Sequence, residues 1–281
     1  MFKKISTNEK KVNYDETYSL TFGDRAENNI GMEQIGKLAT TGLQLEDLNK
    51  CIEKLKKNDI NYELINLDDN LPQKYINLVD KEKGKQKYGA FVLIIKNGVN
   101  FFLNDEKGAD KMYFEQKSLP FDKKALMRGR VVNKKARWNS CFAPYSQKPN
   151  IENGKGTVIE FEDAPILNKL RKSFKKFFGK KTKNLMGEMN YYYDLNNCGI
   201  GFHGDAERKI VICARLAGNM SMHFQWFHRS KPIGKRIKFI LQHGDIYAMT
   251  EKATGFDWKK RSYLTLRHAA GASKFTTIKN I

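Results

Sequence analysis

His203 and Asp205 are the residues best suited to chemistry, in the run Ile200-Gly-Phe-His203-Gly-Asp205-Ala-Glu207. On a β-strand, residues two apart project to one side, so this spacing puts an imidazole and a carboxylate on a common face. Together they could hold a divalent cation. A second imidazole would complete a two-histidine, one-carboxylate set, which leaves coordination positions open on Fe(II) for a co-substrate and oxygen. Asn190-x-Tyr192 lies just upstream.

Ligands of this kind need a rigid framework, and from Met189 onward the chain is written in short apolar runs separated by turn residues. Residues 210–216, 222–227, 237–241, 246–249, 263–267 and 275–278 read as strands, and such close spacing predicts an antiparallel barrel or jelly roll. Farther upstream, the Asn97-Gly98 pair between apolar runs 91–95 and 99–103 predicts a hairpin. Asp163 and Pro165 start a predicted helix that Gly179 stops, with Leu167, Leu170, Phe174 and Phe177 on one face and lysines elsewhere. Near the N-terminus, Asp24 is expected to cap a helix toward Leu38. Leu45, Leu48, Ile52 and Leu55 recur at helical spacing, and 61–67 alternates like a strand. The polar stretch Asn28-Asn29-Ile30-Gly31 beside Glu27 fits a helix start and is assigned no chemistry. The expected organisation is α+β, with an N-terminal α/β unit of unknown role (1–85) and a basic strand-rich domain (86–281).

Charge separates these two parts. The net charge is +20, but residues 1–80 carry 11 basic and 14 acidic side chains, whereas 81–281 carry 40 and 17. A field of that sign attracts a polyanion, of which nucleic acid is the commonest. Within 128–142, basic residues are interleaved with Trp138 and Phe142, a pattern suited to phosphate contact and base stacking. No apolar run is long enough to cross a bilayer, and the first residues lead into no signal-peptide core. The four cysteines, with no Cys-x-x-Cys pair, fit a reducing compartment. An intracellular protein, cytoplasmic or nuclear, is therefore expected, with no membrane partner.

These elements resemble the AlkB-like branch of the 2-oxoglutarate/Fe(II) dioxygenases. The likeness rests on Asn190-x-Tyr192, the Ile200–Glu207 run, Gly244-Asp245-Ile-Tyr-Ala-Met249 and Arg261-Ser-Tyr-Leu-Thr-Leu-Arg267. The whole chain also looks like dioxygenase-like proteins of large DNA viruses. The resemblance implies a double-stranded β-helix (jelly roll) core with flanking helices, iron between two sheets, and 2-oxoglutarate and O2 as co-substrates. By the same likeness Asn190 and Tyr192 contact 2-oxoglutarate, His203 and Asp205 bind iron, and Arg261 and Arg267 hold the co-substrate carboxylates.

One departure bears on that assignment. The family places its second iron-binding histidine in the loop after the Gly-Asp turn, and loop 250–260 has none. Of the remaining histidines, His268 on a predicted strand is the best replacement, with Asp257 a second candidate. His243 reads as structural, His223 as core or rim. Strand neighbours face opposite ways, so His268 at the iron turns Arg267 outward and makes Lys274 the partner for the distal carboxylate. The other register keeps Arg261 and Arg267 as the clamp and leaves iron with two protein ligands. Trp138, Tyr191, Trp226 and His228 are expected stacking or pocket residues. Oxidation of a nucleic-acid base is the leading expectation. A protein or small-molecule hydroxylase, and a nucleic-acid-binding barrel with a degenerate iron site, are its rivals.

Overall fold

The computed structural model describes residues 14–75, 89–260 and 262–278. Its first half holds β1 (Thr17–Gly23), β2 (Arg25–Glu27), β3 (Gln34–Gly36), α1 (Leu45–Lys56), β4 (Tyr62–Asn66) and β5 (Phe91–Ile95). Next come α2 (Gly98–Leu103), α3 (Gly108–Ser118), β6 (Lys124–Met127), β7 (Arg130–Asn133), β8 (Trp138–Ala143), β9 (Val158–Glu160) and α4 (Pro165–Phe178). The remainder holds β10 (Met186–Tyr192), β11 (Gly199–His203), β12 (Val211–Ala217), β13 (Met220–His228) and β14 (Lys231–Leu241). It closes with β15 (Ile246–Met249), α5 (Glu251–Thr254), β16 (Leu264–Gly271) and α6 (Ser273–Thr276).

The fold is α+β and dominated by two sheets. An eight-stranded sheet runs β4-β5-β15-β12-β1-β10-β8-β9, and a four-stranded sheet runs β11-β16-β13-β14. Every pairing is antiparallel except β8 with β9. Alternation along β5 explains the layering: Leu93 and Ile95 pack with Leu48, Phe102 and Phe174 on the helical side. Val92 and Ile94 pack with Met222, Phe224 and Trp226 of the smaller sheet. A strand covered on both faces reads as an unbroken apolar run, as this one does. The three layers are thus helices, large sheet and small sheet. Among the described residues no helix is long and apolar enough to cross a membrane.

Helix α4 forms as its sequence predicts, with Pro165 in the first turn and Gly179 at its end at φ 91°. Its Leu167, Leu170, Phe174 and Phe177 are all buried. Elsewhere tertiary contacts override local signals. Asn97-Gly98 does not turn a hairpin, because both edges of β5 are already taken by β4 and β15. Asn97 adopts a left-handed conformation instead and the chain coils into α2. Asp24 caps no helix; its carboxylate accepts from the amides of Ala39, Lys209 and Ile210, and the next residues continue as β2. Residues 275–278 do not form a strand, since α6 runs to Thr276.

The expected N-terminal unit is not separate in its hydrogen bonding. Strand β1 lies between β10 and β12, and β4 extends the same sheet through β5. The physical reason is the alternation in Tyr18-Ser19-Leu20-Thr21-Phe22. Tyr18, Leu20 and Phe22 enter the helical core, while Ser19 and Thr21 face the space between the sheets. The expected boundary near 81–87 lies outside the described residues.

Candidate metal centre

Strands β11 and β16 pair so that His203 lies directly opposite His268, after a register shift between Ile200 and His203. Side chains opposite one another on a sheet face meet, and the two imidazole rings stand 4.5 Å apart. Asp205, two residues beyond His203, brings its Oδ1 to 3.5 Å from His203 Nε2 and 3.7 Å from His268 Nε2. One donor atom from each of the three lies within 4.8 Å of the others, and this group could hold a metal ion. Gly204 permits the turn. A Cβ there would sit 2.2 Å from the carbonyl oxygen of Gly255, which itself adopts φ +71°.

The donor atoms are also in the right state. His203 Nδ1 donates to the Gly201 carbonyl at 2.8 Å, which fixes the tautomer and leaves Nε2 with its lone pair toward Asp205. Burial, then the neighbouring His203, pushes His268 down to about 4, so its imidazole is neutral at pH 7. Burial alone would raise the Asp205 carboxyl. His268, the hydrogen bond from His203 and the charge of Arg208 outweigh it and hold Asp205 well below the ordinary carboxylate range.

The triad opens on a cavity of about 380 Å³ between the two sheets. One stretch of its wall is acidic, from Glu27, Glu188 and Glu207. Buried Arg208 bonds both Glu188 and Glu207. Burial drives the Glu27 carboxyl up to about 7 against a hydrogen bond from the Gly31 amide, with Glu207 and Glu188 adding to the rise. Elsewhere the wall carries Ser19, Tyr192, Arg215, Met222 and Tyr247, with Arg137 and Lys259 also lining it.

No known family profile matches the chain. It is similar to the uncharacterized protein R156 of Acanthamoeba polyphaga mimivirus, 44% identical over 260 residues, covering 92% of this chain and 97% of the viral one. The chain belongs to that protein's family. A match of that length takes in both sheets, so the family shares the framework of the cavity as well as its metal centre.

In this family member, His203, Asp205 and His268 come together as their types predict, and Tyr192 and Asn190 line the same cavity. Asn190 is already engaged. Its Oδ1 accepts from Arg137 and Asn139, both at 2.6 Å, and its Nδ2 donates to Glu188 at 2.8 Å. Asp257 is no ligand; it pairs with Lys252 at 2.7 Å. Arg267, next to His268, turns to the opposite face and covers Phe227 and Trp258. Lys274 sits exposed on α6 over Phe275, not on a strand beside the cavity. Arg261 lies outside the described residues.

None of the four expected stacking residues lines the cavity. Trp226 is fully buried between the sheets and donates to the Leu67 carbonyl. Tyr191 stacks on Tyr18 and bonds Glu16 on the helical side of β10. Trp138 is sandwiched by Phe121 and Tyr193, and His228 packs on Tyr75 at the end of β13. Each was sound in type but fell on the wrong face or the wrong end of its strand. Conversely, Glu27, Asn29, Ile30 and Gly31 do line the cavity, because β2 and β3 form a hairpin over it where a helix start was expected. Arg215 was missed altogether. Its one signal is a lone charge in the apolar run Val211-Ile-Cys-Ala-Arg215-Leu-Ala217.

Proposed function

We propose that this protein is an iron(II)- and 2-oxoglutarate-dependent oxygenase that acts on a nucleic-acid base, with its two sheets forming a double-stranded β-helix. The observation that carries the reading is the cross-strand pair His203 and His268 with Asp205, open to a cavity between the sheets. Two neutral imidazoles and one carboxylate fit iron(II) and leave part of its coordination sphere for other ligands. Iron(II) held there would supply oxygen activation, with 2-oxoglutarate consumed to succinate and carbon dioxide.

The chain's own residues orient and shield this chemistry. The Gly201 carbonyl fixes the His203 ring, and Arg208 neutralises the acidic wall beside Asp205. Met222, Met249, Val211 and Ala270 line the cavity with apolar surface and limit water. Outside, Arg137 and Lys259 line the opening, and Lys123, Lys124, Arg128 and Arg130 are exposed on or beside the β6–β7 hairpin. Cations of this kind suit a phosphate backbone. The acidic wall suits a substrate that offers N–H donors or a positive charge, such as the amino edge of a base. The same wall favours a second reading, oxidation of a basic protein side chain.

The test is succinate release from the Fe(II)-loaded protein with 2-oxoglutarate, in the presence of single-stranded and duplex oligonucleotides or lysine-rich peptides. Stimulation by an oligonucleotide, with affinity falling steeply as salt rises, is the expected result. Stimulation by peptide alone selects the second reading, and no succinate with any of them removes the oxygenase.

A further inference from the structure

Four cations line the cavity among the described residues, and three have evident roles. Arg208 is bonded to Glu188 and Glu207, Arg137 donates to Asn190, and Lys259 is exposed. Arg215 is different. It is 1% exposed, and among the described residues it forms no ion pair. Its Nη1 contacts only the Met220 sulfur at 3.6 Å, its guanidinium carbon stands 5.9 Å from the Tyr192 ring centre, and its Nε has no hydrogen-bond partner. A buried guanidinium without a carboxylate is strongly unfavourable unless an anion completes it.

We propose that Arg215 is the anion clamp of the cavity, holding the distal carboxylate of a small α-keto diacid whose other end meets the metal. This rests on the oxygenase reading for the identity of the diacid, 2-oxoglutarate, but the demand for an anion comes from Arg215 alone. The planar guanidinium offers a carboxylate a two-pronged contact. Ser19 lies opposite Arg215 on β1 and opposite Asn190 on β10, so its hydroxyl belongs to the same patch of wall. Tyr247, which lines the cavity from β15, links the two ends. Its hydroxyl is pushed well up, by burial first and Cys213 next, and it feels both Arg215 and Asp205. The co-substrate is therefore read by the large sheet, including the N-terminal strand, while the small sheet supplies the metal-binding histidines.

The experiment is equilibrium binding without turnover: 2-oxoglutarate titrated calorimetrically into Mn(II)-loaded protein, with Mn(II) affinity measured separately. Arg215→Met keeps the side-chain length and removes the charge, so the fold is retained; melting temperature checks this. The expected result is a loss of 2-oxoglutarate affinity of about 30-fold or more, the scale of one charge-assisted bidentate contact, with Mn(II) affinity unchanged. Arg215→Lys recovers part of it. 2-Oxobutyrate, which lacks the distal carboxylate, binds wild type and Arg215→Met equally. Arg267→Met leaves 2-oxoglutarate binding intact. Undiminished affinity in Arg215→Met, or its loss in Arg267→Met, overturns the clamp. If the wild type binds no Mn(II), the oxygenase reading fails instead, and the clamp is then judged on the metal-free protein. There 2-oxoglutarate or succinate should raise the melting temperature of wild type and not of Arg215→Met; no rise in wild type overturns it.

Discussion

The two walls of the cavity are built by opposite strategies. On the small sheet, His203 and His268 are a single cross-strand pair, and Asp205 follows within two residues. On the large sheet, Ser19, Asn190 and Arg215 share one row across β10, β1 and β12, three strands far apart in sequence. The first wall is a local device that one register fixes. The second is assembled from distant segments and depends on β1 finding the middle of the sheet. A metal centre of this sort survives much surface change, whereas the facing wall is vulnerable at every strand that contributes to it.

That contrast can be broken most sharply at the metal. His268→Ala removes a ligand without a collision, and Mn(II) titration is expected to show a loss beyond the about 10–100-fold that a supporting partner would cost. Equal metal affinity in the variant would detach the histidine pair from metal binding. Gly204→Ala tests how much the turn depends on backbone contact. Its added Cβ would meet a carbonyl oxygen at 2.2 Å, which neither backbone segment can escape by rotating a side chain. We expect destabilisation of about 2–4 kcal/mol in urea unfolding; a change under 1 kcal/mol would show the turn to be pliable.

The smallest effect sharpens the acidic part of the large-sheet side. The Glu27 carboxyl is raised from its ordinary 4.5 to about 7, chiefly by burial. The folded state therefore binds its proton more tightly than the unfolded chain does. The stability this contributes is fully present below pH 4.5 and is lost as pH rises through 7. Glu27→Gln, which cannot ionise, should melt with wild type at pH 4.5 and about 2 °C above it at pH 8. An equal difference at both pH values would mean that Glu27 ionises as it would in water.

How far the sequence could be read follows the same division. The His203-x-Asp205 spacing needs only strand alternation, and choosing His268 correctly turned Arg267 away. Helix α4 was legible because its Leu/Phe stripe and its Pro and Gly ends agree. What failed depended on distant partners. Asn97-Gly98 carries a hairpin signal, yet β5 had no edge left to pair. Ser19 and Thr21 looked like part of a detached unit until β10 and β12 closed around them. Lys274 was a reasonable clamp for the next strand, but there is no next strand, and the buried cation is Arg215 on a strand read only as apolar.

The position of β1 also dictates an order of events during synthesis. Its ladder partners begin at Met186 and end at Ala217, so an emerging chain holds Thr17–Gly23 with both edges unsatisfied until most of the protein has left the ribosome. Contacts so distant are slow to form because a long loop must close before they stabilise anything. The earliest described strand is thus among the last to be seated, and the chamber cannot exist on a nascent chain that stops short of residue 217.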